Sequence, residues 1–210
     1  MSIENFIFTD YVQDISVCDR LIDFHTNNQD MVKPGCVSRD GQSKVVPDVK
    51  ESLDCSINIE HVLKNENNKY DILLDYFHNN LKPISDKYIE RFPYCNEFSP
   101  WGVIDDINIQ YYKPGGGFKS WHTERNCAKG NNGTRHLVFM TYLNDVYDEG
   151  GTEFYHQKQI IQPKKGLTVI WPADWTYTHR GIPSPTEEKY IITGWFNFLS
   201  DEEYNDLPKN

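Results

Sequence analysis

The sequence has no run of eighteen apolar residues, so it offers no segment of membrane-spanning length. Its first residues, MSIENFIFTDYVQD, have neither the basic start nor the apolar stretch of a secretory signal, and a cytoplasmic setting is expected. Cysteine is sparse and odd in number: Cys18, Cys36, Cys55, Cys95 and Cys127, with no CxxC pair. That argues against a disulfide framework and against a zinc knuckle, and for a reducing environment. Positive charge is in deficit, 21 Lys and Arg against 31 Asp and Glu, for a formal net charge of −10. Such a chain does not steer itself onto phosphate backbones or anionic lipid, which argues against nucleic-acid and membrane partners while leaving a local basic patch open. The sequence also lacks a GxxxxGK[ST] phosphate loop, a helical HExxH zinc motif, internal repeats and low-complexity segments.

What is present suits one sizeable folded unit. A chain of 210 residues can bury a core without disulfides or structural metal. Thirteen Tyr, eleven Phe and five Trp favour strands over a helical bundle. The first hundred residues read as mixed. NFIF (5–8) is a strand candidate. DISVCDRLIDFHTN (14–27) spaces Val17, Leu21, Ile22 and Phe24 as an amphipathic helix, with Asp14 or Ser16 as cap. Residues 28–51 read as a loop, LDCSINIEHVL as a possible strand, and KYDILLDYFHNNL and ISDKYIERF as two helices, with Pro83 between them giving a break or an N1 position. From Trp101 the chain offers short strand-like runs: VIDDINIQYY, SWHTER, RHLVFMTYLN, GTEFYHQKQIIQ, GLTVIWPA and KYIITGWFNFL. Strands at such spacing predict a sandwich or jelly roll. The expected architecture is mostly β with flanking helices: residues 1–100 as an extension packed on a core of residues 101–200, one compact domain overall.

On a strand, residues i and i+2 share a face, so His122 and Glu124 of SWHTER set an imidazole beside a carboxylate. HxE alone is a common coincidence. His179, in WTYTHRGIPSP, is the candidate third ligand. Two histidines and one carboxylate make a facial triad with open positions that suits Fe(II), a chelating cosubstrate and dioxygen; zinc is a rival occupant. The other histidines (His25, His61, His78, His136, His156) need no functional account. Lys189, ten residues after His179, would point into the same cavity if GIPSPTEE is a turn, and would meet the far end of a small dicarboxylate; as a plain surface lysine it would snorkel.

Six pieces in order, QYYKPGGGFKSWHTE, RHLVFMTYLND, EGGTEF, QPKKGLTVIW, THRG and EKYIITGWF, cover about residues 108–198. Together they resemble the Fe(II)- and 2-oxoglutarate-dependent dioxygenases, in the prolyl 4-hydroxylase-like branch. The resemblance implies a double-stranded β-helix (jelly-roll) core. It implies His122, Glu124 and His179 as iron ligands and Lys189 as partner of the distal carboxylate of 2-oxoglutarate. Tyr112 matches a tyrosine that reaches the cosubstrate, and Tyr142 one that helps hold its distal end. Thr193 and Trp195 match residues lining that pocket. For both tyrosines, core packing with a satisfied hydroxyl is the alternative. The family usually has Asp as second ligand; Glu124 is one methylene longer, so strand or rotamer must adjust. The cofactor set is Fe(II), 2-oxoglutarate and dioxygen, with ascorbate as a possible reductant. The reaction is hydroxylation of a C–H bond, with succinate and carbon dioxide formed. A prolyl residue in a peptide or protein is the expected substrate; a free amino acid, another small molecule, or a non-catalytic jelly-roll binding protein are the alternatives. Oligomeric state is not readable. PGGGF reads as a mobile loop beside the iron or as a plain turn. Arg125 and Arg180 read as substrate contacts or structural ion pairs. Substrate-reading residues are expected in 28–51 and near KGNNG.

Overall fold

The computed structural model describes residues 4–39, 42–128 and 130–206. Fifteen strands run through it: β1 (Phe8–Tyr11), β2 (Val32–Pro34), β3 (Val37–Arg39), β4 (Gln42–Lys44), β5 (Lys50–Glu51), β6 (Leu53–Ile57), β7 (Trp101–Gly102), β8 (Ile107–Tyr112), β9 (Gly117–Phe118), β10 (Arg135–Tyr142), β11 (Thr152–Phe154), β12 (Gln159–Ile161), β13 (Leu167–Pro172), β14 (His179–Gly181) and β15 (Lys189–Phe198). The large antiparallel sheet has the order β1-β13-β10-β15-β8-β6-β2, with β7 on β15; a smaller sheet has the order β12-β11-β14. Two short ladders, β3-β4 and β5-β9, lie beside them. The expected jelly-roll-type, mostly β architecture is what the chain adopts. Strands from both sides of residue 100 share the large sheet.

Strand periodicity sorts its two faces. On β10, Leu137 and Phe139 join a core with the helices, while Val138, Met140 and Tyr142 join a second core with Phe154 and Ile161 of the small sheet. On β15, Ile192 and Phe196 face the helices, and Lys189, Ile191, Thr193 and Trp195 face a cavity between the sheets. Gly194 lets the two strands close up: a Cβ there would sit 2.5 Å from the Phe139 ring.

The helix layer consists of α1 (Ser16–Asn27), α2 (Ile59–Lys64), α3 (Asp71–Asp75) and α4 (Lys82–Arg91). Helix α1 lies where the periodicity put it and buries Val17, Leu21 and Phe24; the Asp14 side chain accepts from the Ser16 amide at its start. Of the two expectations for Pro83, a break or a place at the start of a helix, the second holds: Pro83 stands in the first turn of α4, with no break before it. A π-helical turn, Tyr76–Leu81, joins α3 to α4, and this wider turn leads into the proline that ordinary helix geometry tolerates poorly. The same turn aims the Tyr76 hydroxyl at Thr141 (2.7 Å), which bonds Thr168 (2.6 Å), so a buried hydroxyl chain pins the helix layer to the sheet.

Other expectations need correcting. The first strand is Phe8–Tyr11, not 5–8, because Phe6 turns the chain with φ 52°. Residues 28–51 are not a featureless loop: β2 to β5 lie there, short and polar enough to hide any period-two signal. LDCSINIEHVL is a strand, β6, followed at once by α2, capped by Asn58. GTEFYHQKQIIQ is two strands, β11 and β12, folded back on each other with Lys158 at φ 54°. SWHTER is not a strand; only His122 pairs, in an isolated bridge with His179.

Candidate metal centre

That bridge builds the site. His122 N donates to His179 O at 3.0 Å and His179 N returns the bond to His122 O at 2.9 Å, so the two histidines stand opposite each other. Thr123 turns away to bond Ala173 O, and Glu124 comes round to the histidines' side. The Glu124 Oε1 atom lies 3.5 Å from His122 Nε2 and 3.4 Å from His179 Nε2. Each ring turns Nδ1 to a backbone carbonyl, Ser120 O and Tyr177 O, both at 2.9 Å, which leaves Nε2 of each free toward the shared point. Among the described residues, this is the one group of His, Cys, Asp and Glu whose ligand atoms all lie close enough, within 4.8 Å, to hold a metal ion. Phe118 stacks flat on His122, centroids 3.6 Å apart.

The electrostatics suit a cation. Burial alone would raise the Glu124 carboxyl, but the two histidines facing it outweigh that and hold the group well below the carboxylate range. Burial pushes His122 down, with His179 adding to it, toward the neutral imidazole a metal needs. The extra methylene of Glu124 is taken up by a tether. Its Oε2 accepts from Trp195 Nε1 at 2.9 Å, with Arg135 Nη1 3.6 Å away, and Arg135 stacks 3.5 Å over the Trp195 ring while holding Asp105. Trp195 thus touches the carboxylate. Trp195→Phe keeps the ring and removes the donor. Loss of such an outer partner is expected to weaken Mn(II) or Fe(II) binding by roughly ten- to a hundredfold; unchanged affinity in a metal titration would remove the tether from the site's design.

The other expected residues lie on the wall of one cavity of about 860 Å³, together with the three candidate ligands. Lys189 is 4% exposed; its Nζ donates to Gly150 O at 2.7 Å, and among the described residues no carboxylate is within ion-pair distance. Burial pushes it down to about 8 from 10.5. The Tyr112 hydroxyl bonds Gln110 Oε1 at 2.5 Å, Tyr142 bonds Thr152 (2.6 Å) and Ile161 O, and Thr193 bonds Phe139 O. Burial raises both tyrosines. Arg125 pairs with Asp174 and Arg180 with Glu153, the ion-pair reading of each. PGGGF is a packed turn: a Cβ on Gly116 would meet Glu51 O and Lys113 O at 2.9 Å.

The sequence reading missed a second buried charge. Lys50 and Asp54, 6% and 9% exposed, pair at 2.6 Å on the cavity wall. Four residues apart, they carry no signal that distinguishes them from a solvated pair.

Lys189 gives the ligand-free protein a pH signature. Its folded-state pKa is depressed, so charge costs the fold stability below about 8. Between 8 and 10.5 the unfolded chain holds more protons, so stability rises with pH, by about 3 kcal/mol in full. Denaturant titrations across that window are expected to show a rise in the wild type that Lys189→Met lacks. Parallel curves for the two proteins would contradict it.

Residues 107–197 match the family model described as the 2OG-Fe(II) oxygenase superfamily. Prolyl hydroxylases recur among the proteins it is similar to. A provisionally named prolyl 4-hydroxylase of Acanthamoeba polyphaga mimivirus is 27% identical over 118 residues, 49% of this chain and 49% of that one, so the chain spans about half the length of this curated relative. In fold it is similar to the viral collagen prolyl hydroxylase of Paramecium bursaria Chlorella virus-1, in a structure titled a 2OG complex: TM-score 0.60, 17% identity, 92% of this chain and 97% of that one. It is similar also to a prolyl hydroxylase of Trichoplax adhaerens solved with a hypoxia inducible factor peptide: TM-score 0.67, 14% identity, 98% and 88% covered. That family model is named for Fe(II) and 2-oxoglutarate, and the donor set fits both: two imidazoles with free Nε2, one ionised carboxylate and, in the same cavity, a buried ammonium that pairs with no carboxylate among the described residues.

Proposed function

We propose that the chain is a 2-oxoglutarate-dependent dioxygenase that hydroxylates a prolyl residue in a peptide or protein. The observation that carries this is the joint presence, on one cavity, of a two-histidine, one-carboxylate cluster and a buried ammonium with no counter-charge among the described residues. His122, Glu124 and His179 would hold Fe(II). Lys189 would take the distal carboxylate of 2-oxoglutarate, which would remove the cost of its burial. Tyr142, Thr193 and Tyr112 would shape the rest of that pocket, and Trp195 would steady Glu124. Bound iron with 2-oxoglutarate and dioxygen supplies the oxidation of the C–H bond.

The protein's own share is placement and exclusion. The Ser120 and Tyr177 carbonyls fix the histidine tautomers. The walls made by Trp171, Met140 and Ile191 keep water from the cosubstrate end. A cavity of about 860 Å³ leaves room for a substrate side chain beside the cosubstrate. Residues 1–100 would act as an extension packed on the 101–200 core.

No described helix is long and apolar enough to cross a membrane. The test is incubation with Fe(II), 2-oxoglutarate, ascorbate and a proline-containing peptide library. A peptide mass gain of one oxygen, matched by succinate, is expected. Succinate without peptide oxidation would point to a small-molecule substrate, and no succinate with any peptide would overturn the reading.

A further inference from the structure

Strand β8 turns Gln110 and Tyr112 to the cavity, and β15 beside it turns Lys189, Ile191, Thr193 and Trp195 the same way. In register, Tyr112 stands level with Lys189, and Gln110 with Ile191. The face then runs through Thr193 to Trp195, which holds Glu124. A dicarboxylate reaching from Lys189 to the metal centre therefore passes the level of Gln110. Gln110 is 7% exposed. Its Oε1 accepts from the Tyr112 hydroxyl at 2.5 Å, and its Nε2 donates to nothing among the described residues. Across the ladder, Asp54 gives its carboxylate to Lys50 at 2.6 Å, and no hydrogen bond joins it to Gln110.

A phenol has one proton to donate, and Tyr112 gives it to Gln110. The oxygens of a keto acid at neutral pH accept and do not donate, so the Tyr112 oxygen has nothing to offer them in this arrangement. A primary amide has two N–H donors, and with its oxygen on the phenol both lie at the other end. We propose that Gln110 binds 2-oxoglutarate, donating from Nε2 to an oxygen of the cosubstrate, and that Tyr112 is a positioning residue whose hydroxyl holds the amide oxygen and turns the N–H end to the cavity. The contact expected of Tyr112 passes to the residue two positions earlier on the same strand face. The inference rests on the dioxygenase reading above.

The test reads binding and needs no turnover. The full chain, held anaerobically with Mn(II), is titrated with 2-oxoglutarate in a calorimeter. Gln110→Met, which keeps the length and removes both donors, is expected to weaken binding roughly ten- to a hundredfold, the worth of a hydrogen bond to a charged group. Tyr112→Phe is expected to cost roughly two- to fivefold, and nothing further once Gln110→Met is present. Were the phenol itself the donor, the order would reverse: Gln110→Met would free its proton, and Tyr112→Phe would be the costlier change. That reversed order, or wild-type affinity in Gln110→Met, overturns the inference and leaves the dioxygenase reading standing. Absence of 2-oxoglutarate binding in the wild type overturns both. Mn(II) affinity, which needs the folded centre but not Gln110, controls for folding, and Gln110→Leu gives a second apolar variant.

Discussion

His179→Ala is expected to reduce 2-oxoglutarate turnover to the no-enzyme background while the chain stays folded, and His122→Ala to do the same. The expected loss exceeds the roughly ten- to hundredfold cost of removing an outer partner of a metal ligand, because here a ligand itself is gone. The bridge between the two positions is made by backbone atoms, so the fold has no need of either imidazole to keep strand β14 in place. His179 does pack between Trp171 and Phe154, and its removal leaves a small void. His179→Gln, closer in volume, controls for that. The measurements are succinate formed per minute and metal bound at equilibrium, beside circular dichroism. Iron-dependent turnover surviving in both alanine variants would falsify the ligand assignment.

Lys189→Ala is expected to raise the 2-oxoglutarate requirement severely. Removing one member of a buried, hydrogen-bonded charge pair costs about 2–5 kcal/mol, or roughly thirtyfold to a few thousandfold in affinity. The lysine reaches the cavity from the start of β15, and its ligand-free partners are carbonyls, which a carboxylate would outcompete. Metal binding should be nearly untouched, since Lys189 contacts none of the three candidate ligands. The decisive comparison is KM for 2-oxoglutarate at saturating iron; an unchanged value removes Lys189 from the pocket. Lys189→Arg, which keeps the charge on a longer head, is expected to recover part of the affinity.

The second half of the chain was largely legible. Strands β8, β10, β13 and β15 have the length and alternation that one buried face on each side demands, and their boundaries fall inside the expected runs. The types and order of His122, Glu124 and His179 point to the centre, but a shared strand face is not what joins them. SWHTER is no strand; a single two-residue bridge does the work a strand was expected to do. Lys189 came from its offset to His179. What stayed hidden depends on tertiary contact. The strands within 28–51 are two or three residues long, too short for any period. The π-turn before Pro83 is a compromise between a proline and a buried Tyr76, invisible to local propensity. Lys50–Asp54 looks like any helical surface pair until β5 and β6 carry it inside. The tethering of Glu124 by Trp195 spans residues far apart in the chain.

The recognised stretch starts at Ile107, in the middle of the large sheet. A fragment trimmed to that boundary would leave β8 without β6 on its open edge, and would strip Phe139, Ile109 and Ile192 of the helices that cover them. It would also free Phe118, the ring lying on His122, from the β5 ladder that holds its backbone. The unit that keeps the walls of the candidate site in place is therefore set by packing, and it reaches beyond residues 107–197.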